Sequence, residues 1–153
     1  MKKIAIIGGG FYGCYIAKKL KDKFKSKIKV DIFEKNKRLI LEAGKNNQYK
    51  LHLGYHYPRS LYTIKQTING SKKFKEEFGR FIFYPKKNIY LIHKKSQVNA
   101  HKFYKIFKKF NLKISEIDIK KLKFLKNYND FEKAFNTEEG VIKFEELNNY
   151  LIK

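Results

Sequence analysis

The stretch IAIIGGGFYG, residues 4–13, decides the fold of this chain. Its first four residues, 4–7, form an unbroken apolar run that ends at glycine, which is typical of a strand buried on both faces of a parallel sheet. A helical pattern follows over about residues 11–24, and a second, β-branched strand covers residues 28–33 and ends at Glu34. These three segments predict a strand–helix–strand unit at the start of an α/β fold.

Three spaced glycines connect the first predicted strand to the helix in the pattern Gly-x-Gly-x-x-Gly. Gly8 permits a tight turn, Gly10 lets the backbone approach a pyrophosphate, and Gly13 lets the helix pack closely on the strand. The helix N-terminus then offers N–H donors and a partial positive charge to phosphates. The carboxylate of Glu34 is placed to accept hydrogen bonds from an adenosine ribose, and it would repel the 2′-phosphate of NADP. The pattern predicts a dinucleotide-binding site.

The composition excludes several classes of protein. The chain has 153 residues, 42% of them hydrophobic, which is enough apolar surface for a core and excludes a disordered chain. Cys14 is the only cysteine, so a disulfide framework is excluded, and a cytoplasmic location is expected. No apolar run reaches the roughly 18 residues that a membrane span needs. The chain begins Met1-Lys2-Lys3, and the glycines at 8, 9, 10 and 13 argue against a secretory signal there.

The charge balance is strongly positive, with 36 Lys and Arg residues against 14 Asp and Glu residues and a formal net charge of +22. Such a charge is typical of proteins that bind nucleic acid or an acidic membrane surface. However, arginine occurs only at positions 38, 59 and 80, and the lysines are spread over the whole length. This distribution favours a solvated lysine-rich surface, and no nucleic-acid partner is expected.

The rest of the chain predicts alternating strands and helices. If residues 51–59 are extended, His52 and His56 face the same side. In the helix predicted over residues 96–110, the phenylalanine stripe is interpreted as core packing rather than as a membrane face. Residues 112–135 are ambiguous. The other predicted elements are a helix over 60–79, strands over 81–84, 88–93 and 141–142, and a last helix over 144–152.

Residues 43–60, AGKNNQYKLHLGYHYPRS, resemble the second signature of FAD-dependent oxidoreductases of the D-amino-acid-oxidase type. A branch of that family carries a similar Asn-Gln followed by His-x-Gly-x-His-Tyr-Pro-Arg. The resemblance covers residues 1–60, and residues 136–151 are similar to the stretch before the family's third nucleotide-side strand. It implies FAD as the cofactor, held covalently or noncovalently, and removal of a hydride from a substrate carbon next to nitrogen or oxygen.

The same resemblance implies roles for particular residues. In the family, the segment matching residues 43–48 runs past the pyrophosphate toward the flavin, and the stretch matching 52–57 lies near the ring. His52 and His56 are therefore the candidate catalytic residues, as a base or as an electrostatic partner of reduced flavin. Gly44 departs from the family, which usually has Ser or Thr there. The predicted cofactor-binding residues are Gly8, Gly9, Gly10, Phe11, Tyr12, Gly13, Glu34, Lys35, Asn47 and Gln48.

The two histidines also invite a metal interpretation. Two histidines spaced by four residues can bind zinc when they lie on a helix. Here Gly54 and Pro58 argue against a helix, and there is no third ligand nearby in the sequence. No metal site is therefore predicted.

The length limits the functional prediction, because enzymes of this family need a segment that covers the flavin and a substrate domain, together usually more than roughly 300 residues. The fold predicted is a Rossmann-like βαβ FAD/NAD(P)-binding fold, followed by an incomplete, antiparallel-sheet substrate region. The predicted division is a nucleotide-binding half over 1–60, a partial substrate region over 61–143 and a returning helix over 144–153.

The chain is thus interpreted as the N-terminal part of an FAD-dependent oxidoreductase that acts on a small amine or hydroxy compound. A separate chain could supply the C-terminal half, and we expect this chain alone to bind FAD weakly or not at all. Two alternatives stay open. One is a basic nucleotide- or nucleic-acid-binding module without redox activity, and the other is an inactive truncated remnant.

Overall fold

A computed structural model describes residues 1–41 and 48–153. The chain divides into two compact units. The first unit consists of Met1–Tyr49 together with Ile142–Lys153, and the second consists of Lys50–Val141. The sequence predicts domain boundaries at residues 60 and 143. The structure differs at the first boundary, because it assigns residues 50–60 to the second unit.

The first unit opens with the predicted strand–helix–strand. Strand β1 (Lys2–Ile7) and strand β2 (Ile28–Phe33) pair in parallel, from Lys2 opposite Ile28 to Ile7 opposite Phe33. Helix α1 (Phe11–Phe24) connects them, with the bounds that its periodicity predicts. The α/β fold expected from the sequence is confirmed in this unit. The prediction that β1 is buried on both faces is wrong. Ile7 is 83% exposed, and β2 is the only described strand that pairs with β1.

The C-terminal helix α4 (Phe144–Ile152) completes the first unit and lies against α1. Leu147 and Leu151, which are one helical turn apart, are its buried residues. The ammonium of Lys18 lies 4.5 Å from the centre of the Tyr150 ring, a cation–π contact between the two helices.

The second unit contains two antiparallel sheets of three strands. The strand order is β3-β8-β4 in one sheet and β5-β7-β6 in the other. The predicted antiparallel region is therefore present. Its strands are β3 (Lys50–Leu51), β4 (Ile82–Phe83), β5 (Ile89–His93), β6 (Ile114–Ile117), β7 (Phe131–Thr137) and β8 (Gly140–Ile142).

Two helices of this unit start where a side chain caps them. Helix α2 (Leu61–Phe78) begins after Ser60, whose hydroxyl accepts a hydrogen bond from a first-turn N–H. Helix α3 (Ala100–Lys109) begins after Asn99, whose Oδ1 accepts from the N–H of Lys102 at 2.8 Å. This cap explains why α3 starts four residues later than the predicted Ser96.

The core of the second unit confirms the interpretation of the phenylalanine stripe. Phe103 is 2% exposed and Phe107 is fully buried, with Phe110 packed at the edge of the same cluster. Tyr55 lies 4.8 Å from Phe107, measured between ring centres. No helix within residues 1–41 and 48–153 has both the length and the apolar character that a bilayer crossing requires.

Candidate functional site

The glycine loop between β1 and α1 is built on two close backbone contacts. Gly8 has a φ of +100°, a conformation that favours glycine, and its N–H donates to the carbonyl oxygen of Phe33 at 2.8 Å. A Cβ at Gly13 would lie 2.0 Å from the carbonyl oxygen of Gly8. Both positions therefore need glycine for the loop and helix to approach each other.

Gly10, in contrast, faces open space. A Cβ at this position would meet no heavy atom within 4 Å. Gly10 is the N-cap of α1 and provides no side-chain cap, and the first turn of α1 carries no acidic residue. The N–H groups of a first helical turn have no partner inside the helix, so this end of α1 is suited to an anion.

Glu34 lies beside the glycine loop at the end of β2. Its Oε2 accepts from the N–H of Gly9 at 2.7 Å, and its Oε1 accepts from the N–H of Asn36 at 2.9 Å. The hydrogen bonds from Asn36 and then Gly9 hold the pKa of Glu34 below its ordinary value of 4.5. The side-chain amide of Asn36 also donates to Oε1 at 2.9 Å, which leaves Oε2 as the oxygen that can accept a hydrogen bond from a ligand.

A cavity of about 280 Å³ adjoins this loop and carboxylate. It lies at the carboxyl ends of the two parallel strands, where ligands bind in open α/β sheets. Its lining residues are Ile7, Gly8, Gly10, Phe33, Glu34, Lys35, Ile40 and Leu41.

The other predicted cofactor residues have mixed placements. Phe11 and Tyr12 begin α1, with Tyr12 79% exposed. Gln48 is exposed, whereas Asn47 and Gly44 lie outside the described residues. The cofactor-binding roles of these residues stay predictions.

Ile40 is a residue of this region that the sequence analysis missed. It is 3% exposed, its φ is +57°, and its N–H donates to the carbonyl oxygen of Gly9 at 2.8 Å. A β-branched residue rarely adopts this conformation, so its packing maintains a strained backbone. The available signal in the sequence is the apolar run of residues 39–41 within a polar segment.

The pKa of Glu34 predicts a pH dependence of stability. A depressed carboxyl pKa contributes stability that is fully present above the unfolded-state pKa and is lost as the pH falls through the folded-state value. We expect the stability advantage of the wild-type chain over Glu34→Gln to shrink as the pH is lowered below about 4.5. Hydrogen exchange of the Cys14 amide, which bonds to the Gly10 carbonyl, measures it. A difference that does not change with pH would contradict the prediction.

A second group of polar residues lies in the second unit. His52 and His56 have ring centres 4.6 Å apart, and Nδ1 of His52 is 3.5 Å from Oε1 of Glu139. The segment is a turn rather than the extended strand considered above, because Gly54 has a φ of +100° and its carbonyl accepts from the N–H of Tyr57. The turn brings the two histidines together.

Glu139 is the residue of this group that sequence reasoning missed. Its side chain has no exposed surface. Its Oε1 accepts from the N–H of Leu53 at 2.9 Å, and its Oε2 accepts from the hydroxyl of Tyr90 at 2.9 Å. Burial raises the pKa of Tyr90, so that hydroxyl remains a donor. Partial burial, and after it the neighbouring His52, lowers the pKa of His56, which favours the neutral imidazole.

A family model and two fungal proteins are similar to parts of this chain. Residues 6–67 match the model of an NAD(P)-binding Rossmann-like domain. The FAD-dependent monooxygenase FPY4 of Fusarium mangiferae is 38% identical over 105 residues, which are 67% of this chain and 27% of that protein. The FAD-dependent monooxygenase kojA of Aspergillus flavus is 32% identical over 88 residues, which are 58% of this chain and 20% of that protein.

Two solved structures share the fold of nearly the whole chain. Glycine oxidase from Geobacillus kaustophilus has a TM-score of 0.67 and 16% identity over 99% of this chain and 44% of its own. L-alpha-glycerophosphate oxidase from Mycoplasma pneumoniae, with FAD bound, has a TM-score of 0.65 and 21% identity over 99% of this chain and 42% of its own.

These similarities confirm the Rossmann-like fold of FAD-binding proteins and the resemblance to FAD-dependent oxidoreductases. They do not single out the D-amino-acid-oxidase type. The matched regions span 27% and 20% of the two fungal proteins, so this chain corresponds to only a part of its relatives.

Proposed function

We propose that this chain is the N-terminal, FAD-binding portion of an FAD-dependent oxidoreductase, and that its first unit binds the ADP half of the cofactor. The observation that carries the proposal is the cavity bounded by both Gly10 and Glu34. A dinucleotide needs an open backbone position for its diphosphate and an acceptor for its ribose, and this cavity presents both. Bound FAD would supply the hydride acceptor, which no side chain can provide.

The first unit would hold the cofactor through three of its parts. The N-terminus of α1 would face the diphosphate, with the space at Gly10 allowing close approach. Oε2 of Glu34, which has a single hydrogen bond from Gly9, would accept from a ribose hydroxyl. Ile40 and Phe33, which line the same cavity, would supply apolar contacts for the adenosine.

The chemical step belongs to the whole enzyme, of which this chain covers a part. We propose that the substrate is a small amine or hydroxy compound, and that bound FAD would supply the acceptor for a hydride from its carbon while the nitrogen or oxygen next to that carbon loses a proton. The fungal relatives are both named FAD-dependent monooxygenases, which supports the use of FAD in an oxidoreductase reaction. The segment that covers the flavin would come from another part of the protein, in the same chain or a separate one. The cytoplasmic location stays a prediction.

Binding of FAD to the isotopically labelled full chain tests this proposal. We expect FAD and ADP to shift the amide NMR resonances of residues 8–13 and 34, with weak affinity. The Glu34→Ala variant should bind at least about tenfold more weakly, because hydrogen bonds to a charged group contribute about 1.5–3 kcal/mol. Asp31→Ala is the matched control, since Asp31 lies on the same strand and its carboxylate pairs with Lys29 on the surface at 3.4 Å.

Two results would count against the proposal. One is that millimolar FAD leaves the loop resonances unshifted. The other is that FAD shifts lysine-rich surfaces throughout the chain and is released by moderate salt, which is the behaviour of a general polyanion-binding surface.

A further inference from the structure

We propose that His52, His56 and Glu139 form a zinc-binding site in the second unit. Their ligand atoms all lie within 4.8 Å of one another. The three residues belong to the second unit, and the residues that line the dinucleotide cavity belong to the first. Two imidazoles and one carboxylate form a donor set that suits Zn²⁺.

Glu139 is a buried carboxylate whose negative charge needs compensation. A carboxylate without exposed surface is stable only when a cation or several donors compensate its charge. Its two hydrogen bonds come from neutral donors, Leu53 and Tyr90. Among the described residues, its only basic partner within 4.0 Å is His52, which is charged only when protonated. A divalent cation would compensate this charge at neutral pH.

One ring nitrogen of His52 is available to a metal ion. Its Nδ1 atom is buried and has no hydrogen-bond partner, although Oε1 of Glu139 is only 3.5 Å away. A tetrahedral zinc ion with bonds of about 2.0–2.2 Å places its ligand atoms about 3.3–3.6 Å apart. The observed separation therefore equals that of two ligands on one metal ion, and it is longer than an ordinary hydrogen bond.

His56 lies beside His52, and its side chain is exposed to solvent. The turn at Gly54 places its ring against that of His52 without a helix. Its side chain is exposed, so a small rotation can bring one of its nitrogens to the ion. Water would complete the coordination from the exposed side, as it does in zinc sites with three protein ligands.

The surroundings of Glu139 also resemble those of a metal ligand. Leu53 and Tyr90 donate one hydrogen bond to each carboxylate oxygen and fix its orientation. Such outer hydrogen bonds orient ligands and maintain metal affinity. They leave one acceptor position on Oε1, the atom nearest to His52, for the ion.

Titration of the untagged, metal-free full chain with Co²⁺ tests the site, since tetrahedral Co²⁺ absorbs visible light and replaces zinc. We expect one Co²⁺ per chain, displaced by one equivalent of Zn²⁺. The His56→Gln variant should bind at least tenfold more weakly. His101→Gln is the matched control, because His101 is an exposed histidine on α3 outside the cluster.

The variant His56→Gln changes an exposed side chain, and its circular dichroism spectrum should match that of the wild type. Equal Co²⁺ affinity of His56→Gln and the wild-type chain would overturn the proposal. The absence of any Co²⁺ spectrum at millimolar metal would overturn it as well. Neither result would affect the FAD experiment, which reports on the first unit alone.

Discussion

Replacing Gly13 with alanine is expected to disrupt the first unit. The added Cβ would lie 2.0 Å from the carbonyl oxygen of Gly8, and because this is a backbone atom it cannot rotate away. Helix α1 would have to separate from the loop, at a cost of roughly 3 kcal/mol or more. Denaturant unfolding, followed through the amide resonances of α1 and β2, measures the loss.

Two other glycines serve as matched controls for Gly13→Ala. Gly70 lies within α2 and a Cβ there meets nothing within 4 Å, so Gly70→Ala should stabilise the chain by about 0.5–1 kcal/mol. Gly10→Ala should cost less than about 1 kcal/mol as an N-cap change, yet it should weaken FAD binding because it fills the open space. If Gly13→Ala unfolds no more easily than Gly10→Ala, the packing argument fails.

Replacing Glu139 with alanine is expected to be the most damaging change in the second unit. It leaves the N–H of Leu53 and the hydroxyl of Tyr90 without an acceptor in a buried region. Loss of these two hydrogen bonds should destabilise the unit by about 2–4 kcal/mol. Urea unfolding in the presence of a chelator isolates this effect from any metal.

The neighbouring residue provides the control for Glu139→Ala. Glu138 pairs with Lys113 at 3.0 Å, and its side chain is 40% exposed. Surface ion pairs contribute about 0–1 kcal/mol, so Glu138→Ala should unfold almost as the wild type does. Equal effects of the two variants would show that burial of Glu139 does not determine its contribution.

The strand–helix–strand could be predicted because its signals are local. The apolar run of β1, the spaced glycines and the periodicity of α1 lie within a few residues of one another. The close approach of Gly13 to Gly8 requires glycine, which is the residue that the sequence pattern has at these positions. Prediction of α1 therefore agreed with the structure to the residue.

The histidine cluster could be predicted only in part, because it depends on tertiary structure. His52 and His56 are close in sequence, but Glu139 is distant in sequence and lies beside them only because of where the connection between β7 and β8 runs in the folded unit. The positive φ of Gly54 turns the chain, so the side chains of this segment do not alternate between two faces as they would in an extended strand. No third ligand is near the two histidines in the sequence, so the sequence predicts no metal site. The burial of Glu139 depends on the folded structure and cannot be predicted from its position in the sequence.

The hydrogen bonds that hold the glycine loop in place affect its affinity for a ligand. Gly8 donates to Phe33, Gly9 donates to Glu34, and the carbonyl of Gly9 accepts from Ile40. A turn that is already immobilised in this way has little conformational entropy left to lose when a ligand arrives. Because the glycine loop is already ordered in the folded chain, the free energy of each contact with a ligand is not offset by the entropy cost of ordering the loop.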